Sequence, residues 1–358
     1  MQVLTRVIFD ALPAMRRVTY ALAVLLCLGM SSILESQTSE LQQLLNHGQA
    51  ASEAGDYATA VTDFEAACRL APDNQAANRG LLLSYVQTGK LTEAVELGSK
   101  AVTRWPKNGQ LQHWLGLAYF KQKLNAPALE SLRRSEAVDA SQFGIHFDIA
   151  LVLLSDQQYG SAADELEKAI KLNSSDALVH VLLGRAYQNS NRTLRGIEQF
   201  QEALRINPKL PLAHYHLGFA YSSLGRVGEA IAEYKKELAR SPENPDVVYQ
   251  LGHSLLEIGD WNNAVTHLKK AVDLDPQNSD AAYDLGKALL LAGNVDDSIT
   301  MLRHSLELNP TNAGTHYQLA RALDRLGQKD EAEQERQRFA ELKKAQPQSG
   351  GMASGRSQ

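Results

Sequence analysis

Histidines and evenly spaced tyrosines are the side chains of this sequence best equipped for chemistry. His146, His180 and His214 stand 34 residues apart, and neutral imidazole is the commonest metal ligand. Zinc would need its ligands within about 2 Å of one ion. Three histidines recurring at one register of a long period are too far apart to share it. His214 and His216, two residues apart, would point to different faces of a helix. No metal site is therefore expected. The sequence contains no H-E-x-x-H, no G-x-x-x-x-G-K-[ST] and no G-x-S-x-G. Glu165, Glu167, Asp296 and Asp297 read as solvated helix faces, and Cys68 as a small packed residue. No catalytic residue and no cofactor are expected, so the chain does not read as an enzyme.

The tyrosines point elsewhere. Tyr215, Tyr249, Tyr283 and Tyr317 recur every 34 residues, and four residues after each come Phe219, His253, Lys287 and Arg321. Asp324 and Arg325 follow the last of these. Aromatic rings flanked by cationic groups suit recognition of a peptide with some acidic character. The competing explanation is that such tyrosines only pack between helices.

The same interval governs the scaffold that must hold them. Pro72, Pro106, Pro208, Pro242, Pro276 and Pro310 all fall on one 34-residue grid; Ala140 and Ser174 fill its two empty places. With that proline at position 32, units start at residues 41, 75, 109, 143, 177, 211, 245, 279 and 313. Positions 4, 7, 8 and 11 form one face of a helix, and positions 20, 24 and 27 one face of a second. Position 8 is often Gly (Gly116, Gly184, Gly218, Gly252, Gly286) and position 20 small (Ala60, Ala94, Ala128, Ala162, Ala230, Ala264), which lets two helices approach closely. Gly at position 15 (Gly55, Gly89, Gly225, Gly259, Gly293, Gly327) marks the end of the first helix, where the backbone turns left-handed. Proline at position 32 ends the second helix.

A clear unit is Pro245–Asn278, PDVVYQLGHSLLEIGDWNNAVTHLKKAVDLDPQN. It resembles the tetratricopeptide repeat, and the resemblance extends over residues 41–346. It implies an all-α fold: a right-handed α-solenoid of antiparallel helix pairs, spanning residues 37–346. In that family the first helices line a concave groove, which places Tyr215, Tyr249, Tyr283, Tyr317, Phe219, His253, Lys287, Arg321 and Arg325 on the surface for a protein or peptide partner. Members that grip the carboxylate end of chaperone tails carry a Lys and Asn pair at positions 5 and 9, which is missing here, so that ligand is not expected. Units three to five depart most from the pattern, with no Gly at position 15, and local bending or loosening is expected there. Function then reads as a protein-interaction scaffold. The alternatives are the recognition subunit of an enzyme complex, or a self-associating structural protein.

Both ends follow from solenoid logic, since terminal repeats must expose one face. Arg336 takes position 24, where other units place a large apolar residue, so the last helix reads as a cap. Ser39 and Gln42 form a capping-box pattern before Leu41. Residues 347–358, PQSGGMASGRSQ, read as a disordered tail.

At the start, Arg6, Arg16 and Arg17 precede the apolar run Val18–Met30, followed by Ser31 and Ser32. Residues 1–36 read as a secretory signal peptide, which would place the protein in the periplasm or outside the cell. The alternatives are an uncleaved inner-membrane anchor over residues 18–34, the protein's one expected contact with a membrane, and a buried core helix. The net charge of −5 argues against a nucleic-acid partner. The two cysteines, Cys27 and Cys68, leave core packing to hold the fold.

Overall fold

A computed structural model describes residues 37–345. The signal or anchor expected in residues 1–36 and the tail expected in residues 347–358 lie outside them. The described residues form helices and no strand, arranged as consecutive antiparallel pairs in an α-solenoid. They divide into two compact units, one ending at Leu172 and the other beginning at Asn173.

In the first unit the pairs are α1 (37–53) with α2 (Tyr57–Leu70), α3 (Gln75–Thr88) with α4 (Leu91–Arg104), α5 (Gly109–Lys121) with α6 (Asn125–Val138), and α7 (Phe143–Ser155) with α8 (Tyr159–Leu172). The second holds α9 (Ala177–Asn189) with α10 (Thr193–Ile206), α11 (Ala213–Ser223) with α12 (Val227–Leu238), and α13 (Pro245–Glu257) with α14 (Trp261–Leu274). It continues with α15 (Ser279–Ala292) and α16 (Val295–Leu308), then α17 (Ala313–Arg325) and α18 (Lys329–Ala345).

Most first helices start where an Asn or Asp precedes them; α7, after Gln142, and α11, after Leu212, lack that cap. Asn74 Oδ1 accepts from the Ala77 amide at 2.9 Å, Asn108 from Leu111 at 3.1 Å and Asn244 from Val247 at 3.1 Å. Each bond satisfies a helix-end donor that would otherwise lack a partner. Among the described residues, five second helices end where an Asx side chain folds over the next residues. Asp139 Oδ1 takes the Ser141 amide at 2.9 Å and Asn173 Oδ1 the Ser175 amide at 3.1 Å. This is why α6 and α8 stop on register although Ala140 and Ser174 replace the proline.

The turn inside each pair is the same throughout. The amide after the left-handed residue bonds back to position 11, as in Lys90 to Tyr85 (2.9 Å), Leu124 to Tyr119 (3.0 Å), Gln158 to Leu153 (2.9 Å) and Arg192 to Tyr187 (2.8 Å). In pairs three to five, Lys123, Gln157 and Asn191 take the left-handed conformation that Gly takes elsewhere, with φ of 63°, 57° and 61°. The expected loosening is therefore absent at these turns: the geometry is kept, and the strain is carried by the residue. Gln157→Gly should raise stability by about 0.5–1 kcal/mol, because the relief of left-handed strain exceeds glycine's added freedom in the unfolded chain. Urea unfolding of both proteins measures it, and an unchanged or lower midpoint would refute it.

Position 20 brings the two helices of a pair together. Ala60, Ala94, Ala128 and Ala162 are all completely buried. Position 8 faces position 24 of the same pair: a methyl group added at Gly184 would lie 2.5 Å from Phe200 Cε1. The final helix is a cap as expected. Of α18's residues only Ala332 is buried, and Arg336 bonds to Asp324 (2.7 Å) and Glu333 (2.9 Å) at the surface. The capping box at Ser39 is not formed: α1 is already helical at residue 37, so Ser39 and Gln42 lie inside it as exposed helix residues. The sixth pair also departs. Leu212 is left-handed (φ 61°), so α11 begins at Ala213, and the buried Glu237 carboxylate accepts the Leu212 amide at 3.0 Å.

Candidate functional site

Within the second unit, successive first helices touch one another as well as the second helix between them: α9 with α11, α11 with α13, α13 with α15 and α15 with α17. The tyrosine row lies along this tightly packed side. Tyr215 and Tyr249 are half-buried against the core of this unit. The Tyr215 ring meets His216 edge-on at 5.3 Å and lies 6.4 Å from Phe219. Tyr249 Oη donates to Asp284 Oδ2 at 3.3 Å, and its ring lies 6.0 Å from that of His253. Tyr283 is half-buried, while Tyr317 is exposed and rests on Phe339 at 5.4 Å. Packing and display therefore coexist in the same residues: each ring except Tyr317 has one side in the core.

The charges beside the row differ in how they are engaged. His253 Nδ1 lies 2.7 Å from Asp284 Oδ2. That hydrogen bond raises the His253 pKa above the ordinary imidazole value, against the opposing effect of burial. Burial pushes the Tyr249 phenol far up, and the carboxylates of Asp284 and Asp280 push it further. Lys287 makes no hydrogen bond or ion pair among the described residues. Arg321 bonds to Gln318 Oε1 at 2.9 Å and its guanidinium lies 5.8 Å from the Tyr317 ring. Arg325 is exposed, but its Nη1 is engaged by the backbone: it donates to the Leu290 carbonyl at 2.6 Å, as Lys121 does to Val86 at 3.0 Å in the first unit. Arg325 thus ties neighbouring first helices together.

Three residues of this surface were not picked out from the sequence. Arg185 is exposed at the register of Phe219, His253, Lys287 and Arg321, and contributes to holding down the pKa of His216. Asp284 and Gln318 sit one residue after Tyr283 and Tyr317, and both are buried. The 34-residue interval marks Arg185, whereas nothing in the sequence announces that Asp284 bridges Tyr249 and His253. In the first unit the same register holds the exposed Gln49 and then Leu83, Leu117 and Leu151, all half-buried. Its polar neighbours are internally paired, Arg79 with Gln110 at 3.0 Å and His113 with Asp148 at 2.6 Å. The two units therefore present chemically different first-helix faces.

The position-4 histidines are clips within a pair. Nδ1 of each reaches position 23 of its own second helix: His146 to Glu165 at 2.8 Å, His180 to Gln199 at 2.8 Å and His214 to Glu233 at 2.6 Å. His316 repeats the contact with Glu335 at 2.5 Å. Nε2 of His146 faces the Ala140 carbonyl at 2.9 Å. One of these clips grows into an ionic cluster and overturns the reading of Glu165 as a solvated residue. Its carboxylate is buried, because α6 and α7 cover it, and it takes Arg133 at 2.6 Å and Lys168 at 3.0 Å besides His146. Glu136 joins through Arg133 at 2.7 Å and Lys168 at 3.2 Å.

Glu136, His146 and Glu165 bring ligand-type atoms within 4.8 Å of one another. The fit to a metal ion is poor, however, since Arg133 and Lys168 already neutralise the carboxylate oxygens an ion would need. Asp296 and Asp297 are exposed as expected, and Glu167 is half-buried. Cys68 is partly buried in the apolar cluster around Phe64, and burial lifts its thiol to about 11. Among the described residues, no helix is long and apolar enough to cross a membrane.

Comparison with known proteins places this architecture. Sequence models described as "Tetratricopeptide repeat" match residues 45–109, 177–210, 212–244, 255–307 and 301–334, and one described as "TPR repeat" matches 197–225. The chain is similar to the anaphase-promoting complex subunit 3 of Schizosaccharomyces pombe, 26% identical over 166 residues, which covers 46% of this chain and 25% of that protein. It is also similar to a Drosophila melanogaster homologue of the BBSome complex member BBS4, 30% identical over 79 residues, or 22% of this chain and 16% of the relative. The matches thus span a quarter or less of those relatives' length. Among solved structures, the APC/C hetero-tetramer Cut9–Hcn1 superposes with a TM-score of 0.52 at 17% identity, over 75% of this chain and 52% of that one. That similarity concerns the fold alone.

Proposed function

We infer, from the premise that the chain belongs to the tetratricopeptide repeat family, that its second unit binds an acidic segment of a partner protein on the first-helix side. The fold supports protein–protein interaction in general. The observation that carries the finer reading is Lys287: a partly buried lysine that makes no hydrogen bond or ion pair among the described residues, four positions after Tyr283 on the same helix and in register with Arg185 and Arg321. A charge kept unpaired on a partly desolvated surface favours a carboxylate from outside. The tyrosines supply flat area at low entropic cost.

On this reading the chain is a non-catalytic scaffold without a cofactor, working outside the cytoplasm if residues 1–36 export it, or held at the inner membrane if they stay. Both curated relatives are named as members of multi-subunit complexes, which supports membership of a complex whose chemistry lies on another chain.

Charge reversal is the cleaner test, since Tyr→Ala would also injure the core. With the partner captured by the full chain, Lys287→Glu combined with Arg321→Glu should weaken binding at least tenfold. The residual affinity should lose most of its salt dependence. Equal affinity in the variant would exclude this face. Binding should also tighten as pH falls through the raised pKa of His253, which then adds a positive charge facing the acidic ligand.

A further inference from the structure

Between consecutive helix pairs, one recurring space is filled by the chain's own phenol rings. At position 11, Tyr85 packs in one cluster with Cys68 (position 28 of the preceding pair) and Leu97 (position 23 of its own). Its hydroxyl donates to Glu65 Oε1, at position 25 of the preceding pair, at 2.9 Å. The Tyr119 hydroxyl lies 3.4 Å from Ser99 Oγ, at the same position of the preceding pair, and Tyr221 accepts from Gln201 Nε2 at 3.1 Å. In the last three pairs position 11 is Leu255, Leu289 and Leu323. At Leu289 the space stands open as a cleft of about 370 Å³ between α14, α15 and α16. Its walls are Val272, Met301 and Lys269, at the same positions 28, 23 and 25 that surround Tyr85.

We propose that this cleft binds a tyrosine side chain of a partner protein, seated as the chain's own tyrosines are seated at this register. Leu285 and Leu289 supply an apolar floor for the ring. Lys269 stands where Glu65, Ser99 and Gln201 meet the hydroxyl, and it makes no hydrogen bond or ion pair among the described residues. An ammonium can only donate, so it selects an oxygen acceptor, with the polarity Gln201 already shows towards Tyr221. Asp273 and Asp297 on the rim repel a carboxylate and so favour a neutral phenol. Size agrees, since ligand pockets start at roughly 300 Å³.

The test titrates the full chain with N-acetyl-L-tyrosinamide and follows the methyl resonances of Met301 and Leu289. Saturable shifts confined to those methyls are expected. Lys269→Met should weaken the tyrosine probe several-fold while leaving N-acetyl-L-phenylalaninamide unchanged. Leu289→Tyr should fill the cleft from within, abolish the shifts and raise the melting temperature. Should that variant fold poorly, Met301→Glu at the half-buried wall provides the loss of binding instead. Absent shifts up to the solubility limit of the probe, or shifts that persist in the blocking variant, overturn the assignment. The Lys287 and Arg321 variants leave this cleft intact, so the two surfaces fail or stand separately.

Discussion

Phe200→Ala should cost about 3–5 kcal/mol, the range for emptying a fully buried aromatic site. Phe200 is completely buried in α10, against Gly184 of α9 and stacked on the His216 ring at 5.8 Å. The reverse change should also hurt. Gly184→Ala sets a methyl group 2.5 Å from the ring, and overpacking of that kind costs about 1–3 kcal/mol. The fourth pair shows the compatible combination: Ala150 and Leu166 occupy the corresponding positions, both completely buried. Joining Gly184→Ala with Phe200→Leu should therefore cost less than the two single changes added together. Denaturant unfolding of the set measures this. A Phe200→Ala cost below about 1 kcal/mol would show that the contact does not hold the fifth pair together.

Glu165→Gln should destabilise the first unit by about 3 kcal/mol at neutral pH, the lower end for breaking a buried charge pair. The lower end applies because Arg133 and Lys168, with side chains 41% and 45% exposed, can rehydrate. His146 cannot, since it is as deeply buried as Glu165 itself. The effect has a definite pH dependence. Burial pushes the Glu165 carboxyl upward, but hydrogen bonds from His146, Arg133 and Lys168 outweigh it and hold the pKa below the ordinary value. A carboxyl depressed on folding stabilises the protein above its unfolded pKa, near 4.3 for glutamate, and that contribution is lost as pH falls through the folded value. Glu136 is depressed in the same direction, so it contributes with the same sign. Urea unfolding at neutral and acid pH should show a gap between wild type and Glu165→Gln that narrows in acid. A gap that stays constant would mean that shape, and not charge, explains the loss.

Much of this molecule could be read from periodicity. The 34-residue interval located the helix pairs, the turns inside them and the small residues at their crossings, because each depends on contacts within one repeat. It also put Tyr215, Tyr249, Tyr283 and Tyr317 on one side, since equal register in equal helices gives equal direction. It anticipated the solvent-facing last helix from Arg336 alone. What it could not reach were single side chains whose surroundings come from several helices. Glu165 looks like any exposed helical glutamate until α6 brings Arg133 and α7 brings His146 over it. Arg325 resembles Lys287 and Arg321 until Leu290 offers it a carbonyl. Lys123 and Gln157 carry no mark of the left-handed turn they adopt, because the packing of their pairs imposes it on them. The open cleft at Leu289 depends on the residues facing it from α14 and α16. A repeat's sequence determines its own helices and turn. The partners of its charges, and the spaces it leaves unfilled, belong to neighbours some 20 to 35 residues away, which only the packed tertiary structure brings together.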